Sequence, residues 1–402
     1  MMTKKINYAW PVTSENASVY NYFLKKIENI KGLLIDKRIG IFGSGIRGCC
    51  ILKILEMNGF KSIIFVDNNT EKQNNLINNY DIVSFEEALN YKQEQIFLVS
   101  PEGCNKIHDQ LREAGLQENK EWFSFSVSAY DSYIEEYKRP LQDYLLVMGD
   151  CAFTHIALDD SNFDSLGTMI RNKAGEASCK VLDMHGMGQQ AYYHIAHSLI
   201  ERNEKPSAFL LLLMIETMAP KVPIMPRTQH PWLIKSLSEI SNNIELTEYA
   251  KLTQERFDRF QVEAFSSFDN KIGKETEKEK LYMNINYLFK FRETTEGVVY
   301  LKKTIRMMNE ENIPVILYIP PVNYFQGERL FGADFKQKYE TNFIKLYETL
   351  EKENLKYKVV DASYLLDLED FAAPNTIDET CNYNGRRKSI EFLSKFAPLN
   401  RY

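Results

Sequence analysis

Apolar residues recur every three or four positions between residues 14 and 36, at Tyr20, Phe23, Leu24, Ile27 and Ile30, with acidic and basic residues opposite. That period predicts an amphipathic helix. The pattern then changes. Residues 38–42 form a short apolar run, followed by Gly43-Ser44-Gly45-Ile46-Arg47-Gly48 and a helical stretch through Met57. Further strand candidates are 62–66, 81–84 and 95–100, with a helix between the last two and another over 105–114. Strands alternating with helices imply a parallel sheet. The chain changes character after Trp122, and the aromatic and acidic stretch 123–143, which contains Pro140, reads as a linker. The expected division is a domain over 1–125, a linker over 126–143 and a second domain over 144–402.

The second domain repeats the theme. A buried strand over 144–148 runs into Gly149-Asp150-Cys151, and a strand from Lys180 ends in the turn His185-Gly186-Met187-Gly188 before a helix over 189–200. A third strand spans 208–215 and ends at Glu216-Thr217. A fourth spans 314–319, a fifth 357–360, and a final helix follows the block 378–387. Between the third and fourth strands, aromatic and apolar residues interleaved with charges over 232–295 predict a helical insertion, serving as a lid or as a dimer surface. The fold class expected is α/β in two domains: an N-terminal parallel sheet, then a three-layer domain around a mainly parallel five-stranded sheet.

Composition narrows the function classes. The 402 residues are 44% hydrophobic and 26% charged, as in a soluble globular protein. No segment reaches the roughly 18 uninterrupted apolar residues that span a bilayer. Residues 1–10 lack the apolar core and cleavage site of a signal peptide. A net charge of −6, with lysines interleaved among glutamates as in 273–280, argues against a nucleic-acid surface. Six scattered cysteines (Cys49, Cys50, Cys104, Cys151, Cys179, Cys381) form no CxxC pair and have no histidine spacing that suits structural zinc. A cytoplasmic protein is the expectation, with no metal assigned.

Two motifs carry candidate chemistry. The first is Gly43, Gly45 and Gly48 after a strand, with Asp67 ending the next strand about 20 residues on, the spacing of a dinucleotide fingerprint. Such glycines let the backbone approach a pyrophosphate, and the acid bonds a ribose hydroxyl. With Asn68 after Asp67, the segment resembles the small Rossmann-like modules fused to bacterial enzymes of surface-sugar metabolism. That resemblance implies a nucleotide or NAD-type ligand, or a fold that has lost its ligand and docks a partner.

The second motif set resembles the SGNH (GDSL) hydrolase family over about residues 144–397. There Gly149-Asp150-Cys151 matches the GDS turn, Gly186 the glycine block, Glu216-Thr217 the position of the oxyanion asparagine, and 378–385 the terminal acid–base block. The resemblance implies an acyl-ester hydrolase or O-acyltransferase for a small molecule, and together with the surface-sugar resemblance of the first segment a sugar or glycan precursor as substrate, with three departures. Cys151 replaces the serine nucleophile. Depending on how the block is aligned, Thr380 or Cys381 replaces the terminal histidine, with Asp378 retained. Glu216 or Thr217 replaces the asparagine, and Thr217 is the better donor to a developing negative charge. A substitute base is available at His155, four residues after Cys151, or at His185 on the glycine turn. His194, His197 and His230 are weaker candidates. Arg386 and Arg387 either meet an anionic substrate or cap carbonyls. Cys151 and Cys381 also pose a redox alternative. The rival to catalysis is a binding domain that records the loss of triad chemistry.

Overall fold

The computed structural model describes residues 5–6, 14–101, 105–125, 129–156, 162, 164–220, 230–263, 275–372 and 380–399. Two compact units emerge, Met1–Ser132 and Tyr133–Tyr402.

The first unit contains β1 (Lys5–Ile6), α1 (Ser14–Leu34), β2 (Arg38–Phe42), α2 (Ile46–Met57), β3 (Ile63–Val66), β4 (Leu76–Ile77), β5 (Tyr80–Val83), α3 (Phe85–Leu89), β6 (Gln95–Val99), α4 (Asn105–Glu113) and β7 (Trp122–Ser124). The seven strands lie in the order β1-β4-β5-β3-β2-β6-β7. Every pairing is parallel except β4 with β5. Strands β2 and β6 are short apolar runs because both faces of a parallel sheet are covered. Phe42, Ile64, Val66, Phe97 and Val99 pack on one face with Phe85, Leu111 and Trp122.

The stretch 126–143, expected as a linker, contains α5 (Ala129–Lys138). Its aromatics Tyr130, Tyr133 and Tyr137 fall at helical spacing, and Tyr133 and Tyr137 are buried. The Glu136 carboxylate accepts the Val181 amide at 3.0 Å. Mixed polarity here marks an amphipathic helix rather than a solvated connector.

The second unit continues with β8 (Leu145–Gly149), α6 (Cys151–Thr154), α7 (Leu166–Ala174), β9 (Cys179–Asp183), α8 (Gln189–Glu201), β10 (Ala208–Leu212), α9 (Pro231–Ser241), α10 (Ile244–Glu263), α11 (Glu275–Asn286), α12 (Glu296–Glu310), β11 (Val315–Ile319), α13 (Tyr324–Phe331), α14 (Asp334–Glu351), β12 (Lys358–Asp361) and α15 (Tyr383–Leu393). Its five strands are all parallel, in the order β12-β11-β10-β8-β9. Leu145, Val147, Leu210, Leu212, Ile316 and Tyr318 face one side, where Leu166 and Ile170 of α7 and Ile390 and Leu393 of α15 cover them. The alternate residues Leu146, Met148, Phe209, Leu211 and Leu317 are also buried, so the sheet is clad on both faces. The third strand, expected to reach residue 215, ends at Leu212, and Ile215–Met218 forms a 3-10 turn. Both the amide and the hydroxyl of Thr217 bond the Met214 carbonyl, which curls the chain out of the ladder. The chain is a two-domain α/β protein, and among the described residues no helix is long and apolar enough to cross a membrane.

Candidate functional site

In the first unit the strand order reverses between the parallel strands β2 and β6, and open α/β sheets form a crevice at such a point. The glycine turn lies there. Gly43 has φ +98, in the left-handed region, and an added Cβ would fall 2.6 Å from Pro101 Cγ. Gly48 lets α2 press on the turn, since a Cβ there would fall 2.0 Å from the Gly43 carbonyl oxygen. Gly45 faces open space and leads into α2. Asp67 reaches back onto this turn. One of its oxygens accepts the Ser44 amide at 2.9 Å and the Ser44 hydroxyl, and the other accepts the Asn69 amide at 3.0 Å. Lys72 Nζ lies 3.4 Å away. Burial pulls the Asp67 carboxyl up, but these bonds outweigh it and hold it below the usual carboxylate range. Arg47 donates to the carbonyls of Ser100 at 2.8 Å and Phe125 at 2.7 Å.

In the second unit the reversal falls between β8 and β10, and the chemistry-bearing residues follow those strands. Gly149 is required because a Cβ would fall 2.2 Å from the Phe153 ring. Asp150 caps α6, accepting the Ala152 amide at 3.1 Å, and is 2% exposed. Cys151 is half-buried and hydrogen-bonds the Asp150 carboxylate. Glu216 arrives from the turn after β10. One ligand atom each from Asp150, Cys151 and Glu216 lies within 4.8 Å of the others. Burial, then the Glu216 charge, pushes the Asp150 carboxyl up to about 8. Asp183 at the end of β9 is pushed up to about 6 by burial, with Arg171 opposing.

Three histidines lie close to one another on this side of the unit. His155 follows α6, is 7% exposed, and places Nδ1 2.5 Å from Thr380 Oγ1. The His155 and His185 rings lie 5.9 Å apart. His230 donates from or accepts at Nε2 beside the His185 carbonyl at 2.5 Å; only the protonated nitrogen can bond that oxygen, so Nε2 is the donor. Burial pushes His230 down to about 4. Gly186 has φ +66 and shapes the turn that carries His185.

Other expected residues take structural roles. Both donors of Thr217 are engaged by Met214, so its side chain is turned away from an oxyanion role. Cys381 forms a β-bridge with Phe371 and packs with Leu366, and among the described residues neither it nor Cys151 is in a disulfide. Arg386 is 1% exposed and donates to the carbonyls of Asn162, Asp164 and Cys381 at 2.8, 2.9 and 2.8 Å, which makes it a carbonyl clamp rather than an anion ligand. Asp378 lies outside the described residues, as does Cys104.

Tyr192 was not legible as a site residue. It sits in the first turn of α8, is 1% exposed, and among the described residues its hydroxyl has no hydrogen-bond partner. Burial, followed by the charges of Asp150, Cys151 and Asp183, drives its ionisation well upward, which places the phenol among those groups. In the sequence it is one more aromatic on a buried helix face.

The family model described as C2185-like, N-terminal, matches residues 35–121. No curated protein sequence matches the chain. Among solved structures, a mutant of Axe2, an acetyl-xylooligosaccharide esterase from Geobacillus Stearmophilus, is similar at 12% identity over 64% of this chain and 94% of that one, with a TM-score of 0.30.

Proposed function

We propose that the carboxyl edge of the second sheet is a thiol-dependent acyl-transfer site of the SGNH type, an ester hydrolase or O-acyltransferase for a sugar or glycan precursor in the cytoplasm. The observation that carries this reading is the hydrogen bond between His155 and Thr380. Thr380 occupies a slot where the family resemblance expects the catalytic histidine, and an imidazole from elsewhere in the chain is bonded to it. With Nδ1–H donated to Thr380 Oγ1, Nε2 carries the lone pair of a general base.

In this mechanism His155 takes the Cys151 thiol proton as sulfur attacks the ester carbonyl carbon. The C–O bond to the leaving alcohol breaks, and the imidazolium returns its proton to that oxygen. Water or an acceptor hydroxyl then attacks the thioester, losing its proton to His155, and the Cys151 thiolate leaves. The Gly186 turn supplies the amide donor for the oxyanion, His185 lines the cleft, and Asp378 acts as the orienting acid implied by the resemblance. Incubation with p-nitrophenyl acetate tests this. Turnover, and an acyl adduct by mass spectrometry that is absent in Cys151→Ala, is the expected result.

A binding-only reading draws support from the carboxylates of Asp150 and Glu216 beside the sulfur, since negative charge opposes both a thiolate and an oxyanion. Absence of any adduct selects it. For the first unit, the strand order β5-β3-β2-β6-β7, which is the third, second, first, fourth and fifth of the principal strands, supports a Rossmann-like domain with a nucleotide, nucleotide-sugar or NAD-type ligand at Gly43, Gly45 and Gly48. A thermal shift with a panel of such nucleotides tests that part separately.

A further inference from the structure

We propose that Asp150, Cys151 and Glu216 form a site for one divalent cation of the zinc type, with the Tyr192 hydroxyl as hydrogen-bond partner of a solvent ligand on the ion. The three residues come from two strand ends that meet at the sheet's point of reversal, and one donor atom from each lies within 4.8 Å of the other two. Around a tetrahedral zinc, Zn–S and Zn–O bonds of about 2.3 and 2.1 Å set ligand atoms about 3.5 Å apart, so side-chain rotation of about an ångström closes the set.

Two features separate this cluster from a solvated acidic patch. Asp150 is 2% exposed, and among the described residues the charge acting on it is that of another acid, Glu216. Buried charges are ordinarily paired or bound to metal. The second feature is independent of the acids. Tyr192 is 1% exposed, its hydroxyl is close enough to Asp150, Cys151 and Asp183 to feel their charges, and it has no partner among the described residues. A buried hydroxyl without a protein partner is one that a solvent ligand on an ion would satisfy. Gln189 adds to it: its amide nitrogen lies 3.4 Å from the Thr217 hydroxyl, next to Glu216, and its carbonyl oxygen also lacks a partner there. The thiolate favours zinc over magnesium or calcium because it is a soft ligand, and zinc also accepts the two carboxylates. Spacing rules miss the set because Glu216 stands far along the chain from Cys151.

The site does not rest on acyl transfer. A cation there would hold the Cys151 sulfur and stop it attacking an ester, so the two readings respond oppositely to zinc. The experiment adds Co2+ to metal-free full-length protein and follows thiolate-to-cobalt charge-transfer absorption. A band saturating at one equivalent is expected, abolished in Cys151→Ser and shifted to at least about tenfold higher Co2+ in Glu216→Gln. One equivalent of Zn2+ should displace the cobalt and protect Cys151 of the wild-type chain from iodoacetamide, a readout that needs no variant to fold. No band with millimolar Co2+, a band that survives Cys151→Ser, an unshifted titration in a folded Glu216→Gln, or alkylation of Cys151 unchanged by zinc would each overturn the site. Ester turnover measured in chelator reports on acyl transfer independently of these outcomes.

Discussion

Both units place a strand–turn–helix corner at the point where their sheet reverses, yet the two corners are finished differently. At Gly43 the chain satisfies itself. Asp67 bonds Ser44 twice, Arg47 holds two carbonyls, and Gly48 seats α2 against the turn. At Cys151 like charges meet, the Asp150 carboxyl is driven up to about 8, and the buried Tyr192 hydroxyl has no partner among the described residues. A self-satisfied corner contributes stability, whereas a corner with acids held together stores unfavourable free energy that a substrate, proton or cation relieves. Substitutions should therefore act in opposite senses in the two places.

The largest effect is expected at Cys151. Replacing it by alanine should abolish the acyl adduct and lower ester turnover at least about 1000-fold, as loss of a nucleophile does. His155→Gln should lower turnover by roughly 100-fold or more and flatten the acid limb of the pH profile, because the proton acceptor is gone. Thr380→Val should fall between His155→Gln and wild type, raising kcat losses without moving KM, if it positions the ring. Equal turnover in all of these would erase the functional half of the comparison.

In the first unit, Gly43→Ala should cost about 2 kcal/mol or more, because φ +98 is strained for any other residue and Pro101 blocks the added carbon. Urea unfolding followed by Trp122 fluorescence would report it, and no loss would mean the corner is looser than described. Asp150→Asn should do the reverse. Asparagine keeps a capping oxygen for Ala152 but removes the acid. A carboxyl held near 8 in the folded chain and near 3.9 when unfolded is fully favourable only below about pH 4. Its contribution falls as pH rises through 4 to 8 and is flat beyond. The variant should match wild type near pH 4 and gain about 1–3 kcal/mol over it at pH 9 in chelator. A constant difference across that range would show that Asp150 does not titrate there.

Much of the scaffold was readable from pattern. The glycine turn after β2, the run to Met57, and five parallel strands in the second unit follow from apolar runs punctuated by glycine. The helix α5 was missed because its three tyrosines were weighed as composition instead of as a 3,4 spacing, and β10 was read too long because Leu213, Met214 and Ile215 continue the apolar run while Thr217 bends it. The placement of single residues was also legible: Cys151, His155, His185 and Glu216 all follow the carboxyl ends of strands. Their pairing was not. The bond that joins His155, just past the end of α6, to Thr380 spans 225 positions and follows no local spacing. Contacts of that separation depend on the whole sheet's order, which local pattern does not encode.

The same separation has a kinetic meaning. Arg386 closes on the carbonyls of Asn162 and Asp164 across 224 and 222 positions, as His155 does on Thr380. Bringing such distant points together is entropically costly before any contact rewards it, so the sheet must already be in register when these closures form. On refolding from denaturant, strands and helices of the second unit should therefore return before the histidine cleft does, and recovery of ester turnover should trail recovery of far-ultraviolet circular dichroism.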